Sequence, residues 1–313
     1  VYPKDNDMKD LPDLQRAISL KRYDIHYTSE RWWISPKDYC PKAMLELVRR
    51  EYAKGKKILW VVNAVDRCIA IAKELEKERA YCYHSRFKYI HRLKIHFNII
   101  EEFTPEAANT GVIAVTTQVC EMSLDLDADI LITELAPAPA LIQRMGRCNR
   151  DAKGRKGAGK VHIYHPPNNS HNPYKPVFYD SGKELMNELS KLKGIRQDLT
   201  GVNQEDLSKA LEQVQPVIEP NKICKFTTPM WESISMNDFR DIEEFTVSAV
   251  LESDRAIFRD RNKSKKTVAD IILQAPAHFA KTKEEGIWAR IVLDETESSL
   301  YQYCDNFGLR TKG

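Results

Sequence analysis

Cysteine pairs at metal-ligand spacing are missing from this chain: its seven cysteines are odd in number, scattered and never arranged as CxxC. That argues against a zinc site and for reduced thiols, hence for a cytoplasmic protein. Long apolar runs are missing as well. None approaches the roughly 20 residues that cross a bilayer, and no signal peptide is visible, so no membrane partner is expected. Nor is there an excess of one charge: 48 Lys and Arg against 45 Asp and Glu leave a net +3. Any nucleic-acid surface must therefore be local. Two apparent ligand loops fail on inspection. Gly154–Lys160 fits the GxxxxGK part of a phosphate-binding loop, but Val161 replaces the hydroxyl residue that would hold magnesium, and a strand is expected where a helix should follow, so a basic turn is expected instead. Asp125, Asp127 and Asp129 alternate like the start of a calcium loop, but Ile130 stands where glycine is required. The first residue is Val1, not Met, so a fragment or a processed chain is expected.

What is present concentrates between Gly111 and Arg150. GVIAVTT and DILITEL are short apolar, β-branched runs that suit neighbouring strands buried on both faces. Ligands of an open parallel sheet lie beyond the carboxyl ends of its strands, which makes Thr116, Thr117 and Gln118 candidate phosphate contacts. Ala138 to Cys148 reads as a helix. Leu141, Met145 and Cys148 fall on one face, and Gln143, Arg147 and Arg150 on the opposite one. Gly146 costs about 1 kcal/mol relative to alanine inside a helix, a sacrifice consistent with close approach of a ligand. A cationic face without acidic partners fits arginines aimed at a transferring phosphoryl group, so Arg147 and Arg150 are the catalytic candidates.

Upstream, Tyr39–Tyr52, Ala64–Arg79 and a segment ending near Phe103 read as helices, and Lys57–Asn63, Tyr81–Tyr83 and Lys160–Tyr164 as strands. This is α/β spacing. Polar residues fall at strand ends: Asn63, then His84 and Ser85, then Thr116 and Thr117. From Tyr81 to Ile100 there are four Lys/Arg, three His, several aromatics and no acid, which suits a groove that holds a nucleic-acid strand. His84, Ser85, Arg86 and Arg92 are the expected backbone contacts there.

These residues carry a resemblance. Thr116-Thr117-Gln118 through Asp125-Leu126-Asp127, followed by Gln143-Arg144-Met145-Gly146-Arg147-Cys148-Asn149-Arg150, resembles motifs V and VI of superfamily 2 helicases. The wording TTQVCEMSLDLDADILITELAP and LIQRMGRCNR is most similar to the CRISPR-associated helicase-nuclease of type I systems; ILWVVNAVDRC and YCYHSRFKYIHRL fit its motif IV and the adjoining one. The resemblance covers residues 57–165. It implies a RecA-like parallel sheet flanked by helices, then a smaller mixed α+β C-terminal domain. It also implies Gln143, Gly146 and Asp125 near the nucleotide, with Asn63 joining the nucleic-acid contacts. Ser123 stands where most superfamily members carry glycine.

The resemblance further implies what lies elsewhere. The phosphate-binding loop and the DExH box that bind ATP and Mg2+ belong to an upstream RecA-like lobe, so this chain alone should not hydrolyse ATP. Expected partners are that lobe, single-stranded DNA of the displaced strand, an RNA-guided CRISPR surveillance complex and a DNA nuclease. The expected domains are a connector at 1–37, the RecA-like domain at 38–165, a Pro/Asn-rich linker at 166–178 and an accessory domain at 179–313. Within the last, Tyr179–Leu192 and Gln204–Val214 read as helices, the second capped by Asn203, and FTVSAVL and IWARIVL as strands. Arg255–Lys266, with six Lys/Arg, reads as a solvated loop. Two rival readings are another superfamily 2 DNA or RNA helicase and a non-catalytic interaction module with this fold.

Overall fold

The computed structural model describes residues 18–28, 41–104, 110–150, 157–167, 171–195, 197–214, 246–264, 266–276, 280–283, 290–292 and 301–311. The chain divides into two compact units: residues 1–38, 57–59 and 126–243 in the first, and 39–56, 60–125 and 244–313 in the second. Strand β2 (Lys57–Val61) contributes its first three residues to one and its last two to the other.

In the first unit, β5 (Ile130–Glu134), β6 (Gly159–Tyr164) and β1 (Tyr23–Thr28) run parallel, and β7 (Asp198–Val202) joins antiparallel. All five residues of β5 are buried, as a strand covered on both faces requires. With β3 (Tyr81–Tyr83) and β4 (Val112–Thr116), the order across the seven strands is β3-β4-β2-β5-β6-β1-β7. This is the expected α/β class with a mostly parallel sheet.

Two strands come from outside the stretch expected to form the sheet. Residues 1–37 are expected as a connector, yet β1 lies there and pairs with β6 from Tyr23↔Gly159 to Thr28↔Tyr164. Strand β7, from the expected accessory domain, closes the edge through Ile25↔Leu199. Short strands with mixed polarity, YDIHYT and DLTGV, give little periodic signal, and only their pairing identifies them. Trp32 and Trp33 lie outside the described residues.

Helix α5 (Ala138–Met145) packs on α6 (Pro176–Lys193), which packs on α7 (Gln204–Gln213). Pro139 sits in the first turn of α5, where a missing N–H costs nothing. The Ala138 amide donates to Ser181 Oγ at 3.0 Å, so α6 caps α5. Asn203 caps α7 as expected, in a reciprocal capping box with Asp206. The linker expected at 166–178 is anchored, since Tyr174 is buried and Pro176 opens α6.

Gly182 sets the α5–α6 approach: a Cβ there would lie 1.9 Å from the Ala136 carbonyl oxygen. Backbone must move to admit it, so Gly182→Ala is expected to lower stability by about 1–3 kcal/mol, the usual cost of overpacking. Thermal unfolding of the variant against Gly194→Ala, whose site is open but left-handed, separates a clash from a backbone effect.

In the second unit, β3 (Tyr81–Tyr83) and β4 (Val112–Thr116) are parallel. Helices α2 (Val65–Glu74) and α3 (Tyr89–Phe103) pack on them, with α1 (Lys42–Tyr52) and the short α4 (Val119–Ser123) in the same unit. A second sheet, in the order β10 (Ala280–Lys283), β11 (Arg290–Val292), β8 (Thr246–Leu251) and β9 (Leu273–Pro276), and the hairpin β12–β13 (Tyr301–Cys304, Gly308–Thr311) complete it. Strands β8 (Thr246–Leu251) and β11 (Arg290–Val292) match the two expected runs. Arg255–Lys263, expected as a solvated loop, is helix α8. Phe258 is its anchor, buried with Val250 and Ile271, and Arg261 makes a two-pronged pair with Asp270 at 2.7 and 2.8 Å. Of the neighbours Ile257 and Phe258 only the second is buried, too little to give the sequence a helical period.

Candidate functional site

The first unit carries the arginine segment. Leu141, Met145 and Cys148 are fully buried, whereas Gln143 and Arg150 are exposed and Arg147 half-buried. The expected division of faces therefore holds, but the helix stops at Met145 rather than Cys148. Gly146 has φ −59°, an ordinary helical value, and a Cβ there would meet the Gln143 carbonyl oxygen at 3.2 Å. Beyond it the chain turns: Cys148 forms a parallel bridge with Ala128, and Asn149 adopts φ 50°. Asparagine is among the few residues that take this left-handed conformation readily.

The turn is held from several sides. Asn149 Nδ2 donates to the Arg22 carbonyl at 2.8 Å, and Arg22 Nε donates back to the Asn149 carbonyl at 3.1 Å. Asp127 Oδ1 accepts from the Arg150 amide at 2.8 Å. Asp129 Oδ2 accepts from the Lys57 amide at 2.9 Å. Two of the three alternating aspartates thus fix backbone. Among the described residues no three His, Cys, Asp or Glu side chains cluster to hold a metal ion. Gly159, the last glycine of the apparent phosphate loop, has a packing reason: a Cβ would lie 2.6 Å from Asn149 Cβ and 2.9 Å from Cys148 Sγ. The basic turn at 154–156 lies outside the described residues.

Arg144 escaped the sequence reading. It is fully buried, and its guanidinium donates to Thr133 Oγ1 at 2.9 Å, the Glu134 carbonyl at 3.1 Å and Tyr174 Oη at 2.9 Å. This arginine ties α5 to the carboxyl end of β5 and orients the segment carrying Arg147. Helical spacing put it near the apolar face, the one available hint.

The second unit carries the expected nucleic-acid residues. Three strand ends converge: the Val62 amide donates to the Thr116 carbonyl at 2.9 Å, and the Thr117 amide to the Tyr83 carbonyl at 3.3 Å. Asn63, His84, Thr116 and Thr117 therefore gather at one edge. However, they are 3%, 0%, 0% and 2% exposed, so their side chains do not form the contact surface expected of them. The Thr116 hydroxyl donates to the Thr117 carbonyl. Short apolar strands bury their last residues along with their middles, and a strand-end position does not guarantee exposure.

His84 departs furthest from expectation. Burial, then the neighbouring Arg86 charge, push its pKa down to about 3, against a smaller opposing effect of the Phe307 carbonyl. A neutral buried imidazole offers phosphate no charge. Ser85, Arg86, Arg92 and Gln118 remain at least partly accessible. Arg86 pairs with Asp66 at 2.6 Å, the Arg92 guanidinium lies over the Tyr89 ring at 5.6 Å, and Gln118 Nε2 donates to the Asn63 carbonyl at 3.0 Å. Tyr89, Ile90 and Phe97 on α3 are exposed, at 41%, 51% and 62%. Asp125 is exposed in the stretch after α4.

Residues 54–153 match the family model described as CRISPR-associated nuclease/helicase Cas3, C-terminal. A Myxococcus xanthus protein named as a CRISPR-associated nuclease/helicase Cas3 is 54% identical over 112 residues, which is 35% of this chain and 14% of that protein. The crystal structure of T. fusca Cas3 with ADP aligns at a TM-score of 0.63, covering 94% of this chain and 43% of that one at 14% identity. A chain from a structure titled as a CRISPR RNA-guided surveillance complex, pre-nicking, aligns at 0.57, covering 92% of this chain and 44% of that one at 14% identity. At such identity the structural matches speak to the fold. This chain spans less than half the length of each of these proteins.

Proposed function

We propose, from the premise that this chain is a relative of the C-terminal part of the Cas3 nuclease/helicases, that it forms the second motor lobe of an ATP-dependent single-stranded DNA translocase. That motor acts in CRISPR type I interference and feeds DNA to an associated nuclease. The observation that carries this reading is the arginine segment: Gln143 and Arg150 exposed, Arg147 half-buried, and the turn between them locked by Asn149 and Asp127.

In this reading a partner lobe of the complete protein holds ATP by its phosphate-binding loop. Arg147 and Arg150 present guanidinium forks to charge that develops on the transferring phosphoryl group. Their contribution depends on prior orientation, which the locked turn supplies without reorganisation at the moment of reaction. Gln143 lines the nucleotide side. Magnesium supplies charge neutralisation of the phosphates when bound, and its ligands belong to the partner lobe.

Ser85, Arg86, Arg92 and Gln118 meet the DNA backbone, where hydroxyl, guanidinium and amide donors hold phosphate without reading bases. The Arg86 guanidinium carries five donors and is ion-paired with Asp66. In this reading an RNA-guided surveillance complex recruits the protein, in the cytoplasm, onto the displaced strand. The fold likeness to a chain from a structure of such a complex supports the recruitment alone.

The test is ATP turnover, with and without single-stranded DNA, by this chain alone and by the complete protein. Turnover is expected only from the complete protein and only with DNA. Turnover by the isolated chain would overturn the division of labour.

A further inference from the structure

We infer that the hairpin β12–β13 is a clasp on the loop His84–Lys88, with His84 as its positioning residue, and that the clasp fixes the pose in which Ser85 and Arg86 meet a nucleic-acid strand. The second half of this inference rests on the strand-binding reading above; the first does not.

The contacts form a closed set within the second unit. His84 Nδ1 accepts from the Arg86 amide at 3.1 Å, which leaves the ring proton on Nε2, and Nε2–H donates to the Phe307 carbonyl at 3.1 Å. The imidazole is thus a two-ended bridge in one tautomer, from the loop's own backbone to the hairpin turn. Its neutral state, enforced by burial and Arg86, is the state that bridge needs. Its face stacks on Phe87 with ring centroids 4.5 Å apart.

The hairpin answers with backbone of its own. The Leu309 amide donates to the Arg86 carbonyl at 3.0 Å. Gly308, at φ +64°, sits so close that a Cβ would lie 2.8 Å from the Arg86 carbonyl oxygen and 2.9 Å from His84 Cε1. Only glycine combines that conformation with that approach. At the other end of the loop Tyr303 Oη accepts from the Lys88 amide at 3.1 Å and is 2.8 Å from His91 Nδ1. Lys88 Nζ lies 5.1 Å from the Tyr303 ring centroid and 2.7 Å from Asp254 Oδ2. Lys88, read from sequence as part of a strand-binding cationic stretch, is therefore held on the protein.

Arg86 stands between the two ends of this clasp. Its amide and carbonyl are both engaged, so its guanidinium, ion-paired with Asp66, is carried on a backbone that cannot turn without releasing the hairpin. The hairpin comes more than two hundred residues later in the chain, as the His84–Phe307 separation of 223 shows. The clasp therefore ties the C-terminal segment to the strand-binding loop, and hairpin release is a means of loosening the grip on DNA.

The experiment uses the complete protein carrying Tyr303→Phe, which deletes one hydroxyl, and Gly308→Val, which blocks the seat. Hydrogen exchange is measured over peptides containing 84–92, 301–311 and, as a reference, α2. Affinity for a labelled single-stranded oligonucleotide is measured across a salt series, beside ATP binding. Exchange of loop and hairpin is expected to rise together, roughly tenfold or more, with α2 unchanged. Affinity for the oligonucleotide falls and its salt slope drops by about one, as loss of one phosphate contact predicts, while ATP binding is kept.

Faster exchange in the hairpin alone would overturn the clasp. Joint opening with unaltered oligonucleotide affinity and slope would overturn its role in posing Arg86. Arg92→Ala, which lies outside the clasp, tests the strand-binding reading separately: unaltered affinity there sinks that reading and leaves the exchange result to judge the clasp.

Discussion

Replacing Arg147 by alanine in the complete protein is expected to lower single-strand-stimulated ATP turnover by three to five decades, roughly 10³ to 10⁵, with DNA binding retained. At about 1.4 kcal/mol per decade this is about 4–7 kcal/mol of transition-state stabilisation. The reason for so large an effect is that the guanidinium acts only where charge develops. On the proposed reading ground-state binding of DNA falls to residues of the second unit, so it serves as the control for folding. Arg147→Lys retains the charge but not the planar fork, and an intermediate loss is expected of it. If turnover of Arg147→Ala matches wild type, the arginine segment is scaffold and the motor reading falls.

Arg144→Ala is expected to have the largest effect on stability. Its guanidinium is fully enclosed and serves Thr133, Glu134 and Tyr174 by hydrogen bonds. Truncation leaves buried acceptors without that donor and opens a cavity beneath α5, and breaking one side of a buried charged network costs about 3–5 kcal/mol. That is a large part of the total stability of a domain. Gln143→Ala, one residue earlier and exposed, should change stability by about 0.5 kcal/mol or less. Urea unfolding of the two variants beside wild type makes the comparison. Equal midpoints would show that Arg144 is dispensable to the core. In DNA-stimulated turnover the two arginines also separate: Arg147→Ala loses rate at unchanged midpoint, whereas Arg144→Ala loses both.

Local pattern was enough to locate most elements from β2 to β6. The runs KILWV, VIAVT and ILITE are apolar and β-branched, bounded by polar ends, and each is a strand buried along nearly its whole length. Asn203 announced its helix because a side-chain cap is a contact over three residues. By contrast, β1 and β7 owe their state to partners far along the chain, and α8 to Phe258 packed against Val250 before it and Ile271 after it. No local signal encodes such pairings.

The site residues divide in the same way. Sequence spacing by itself determined that Gln143 opposes Leu141 and Met145, since a helical repeat fixes which side chains share a face. It also determined which residue types crowd the strand ends. Tertiary structure alone decided which of them meet solvent. Arg144 and Arg147 are chemically identical, yet one is enclosed between β5 and Tyr174 while the other is half-exposed beyond a glycine. His84 and Ser85 are neighbours, yet a hairpin from the far end of the chain turns the histidine into a buried bridge and leaves the serine accessible. Residue type and spacing are properties of a few consecutive positions. Burial is a property of whatever else packs there, and that is settled only when the whole chain has folded.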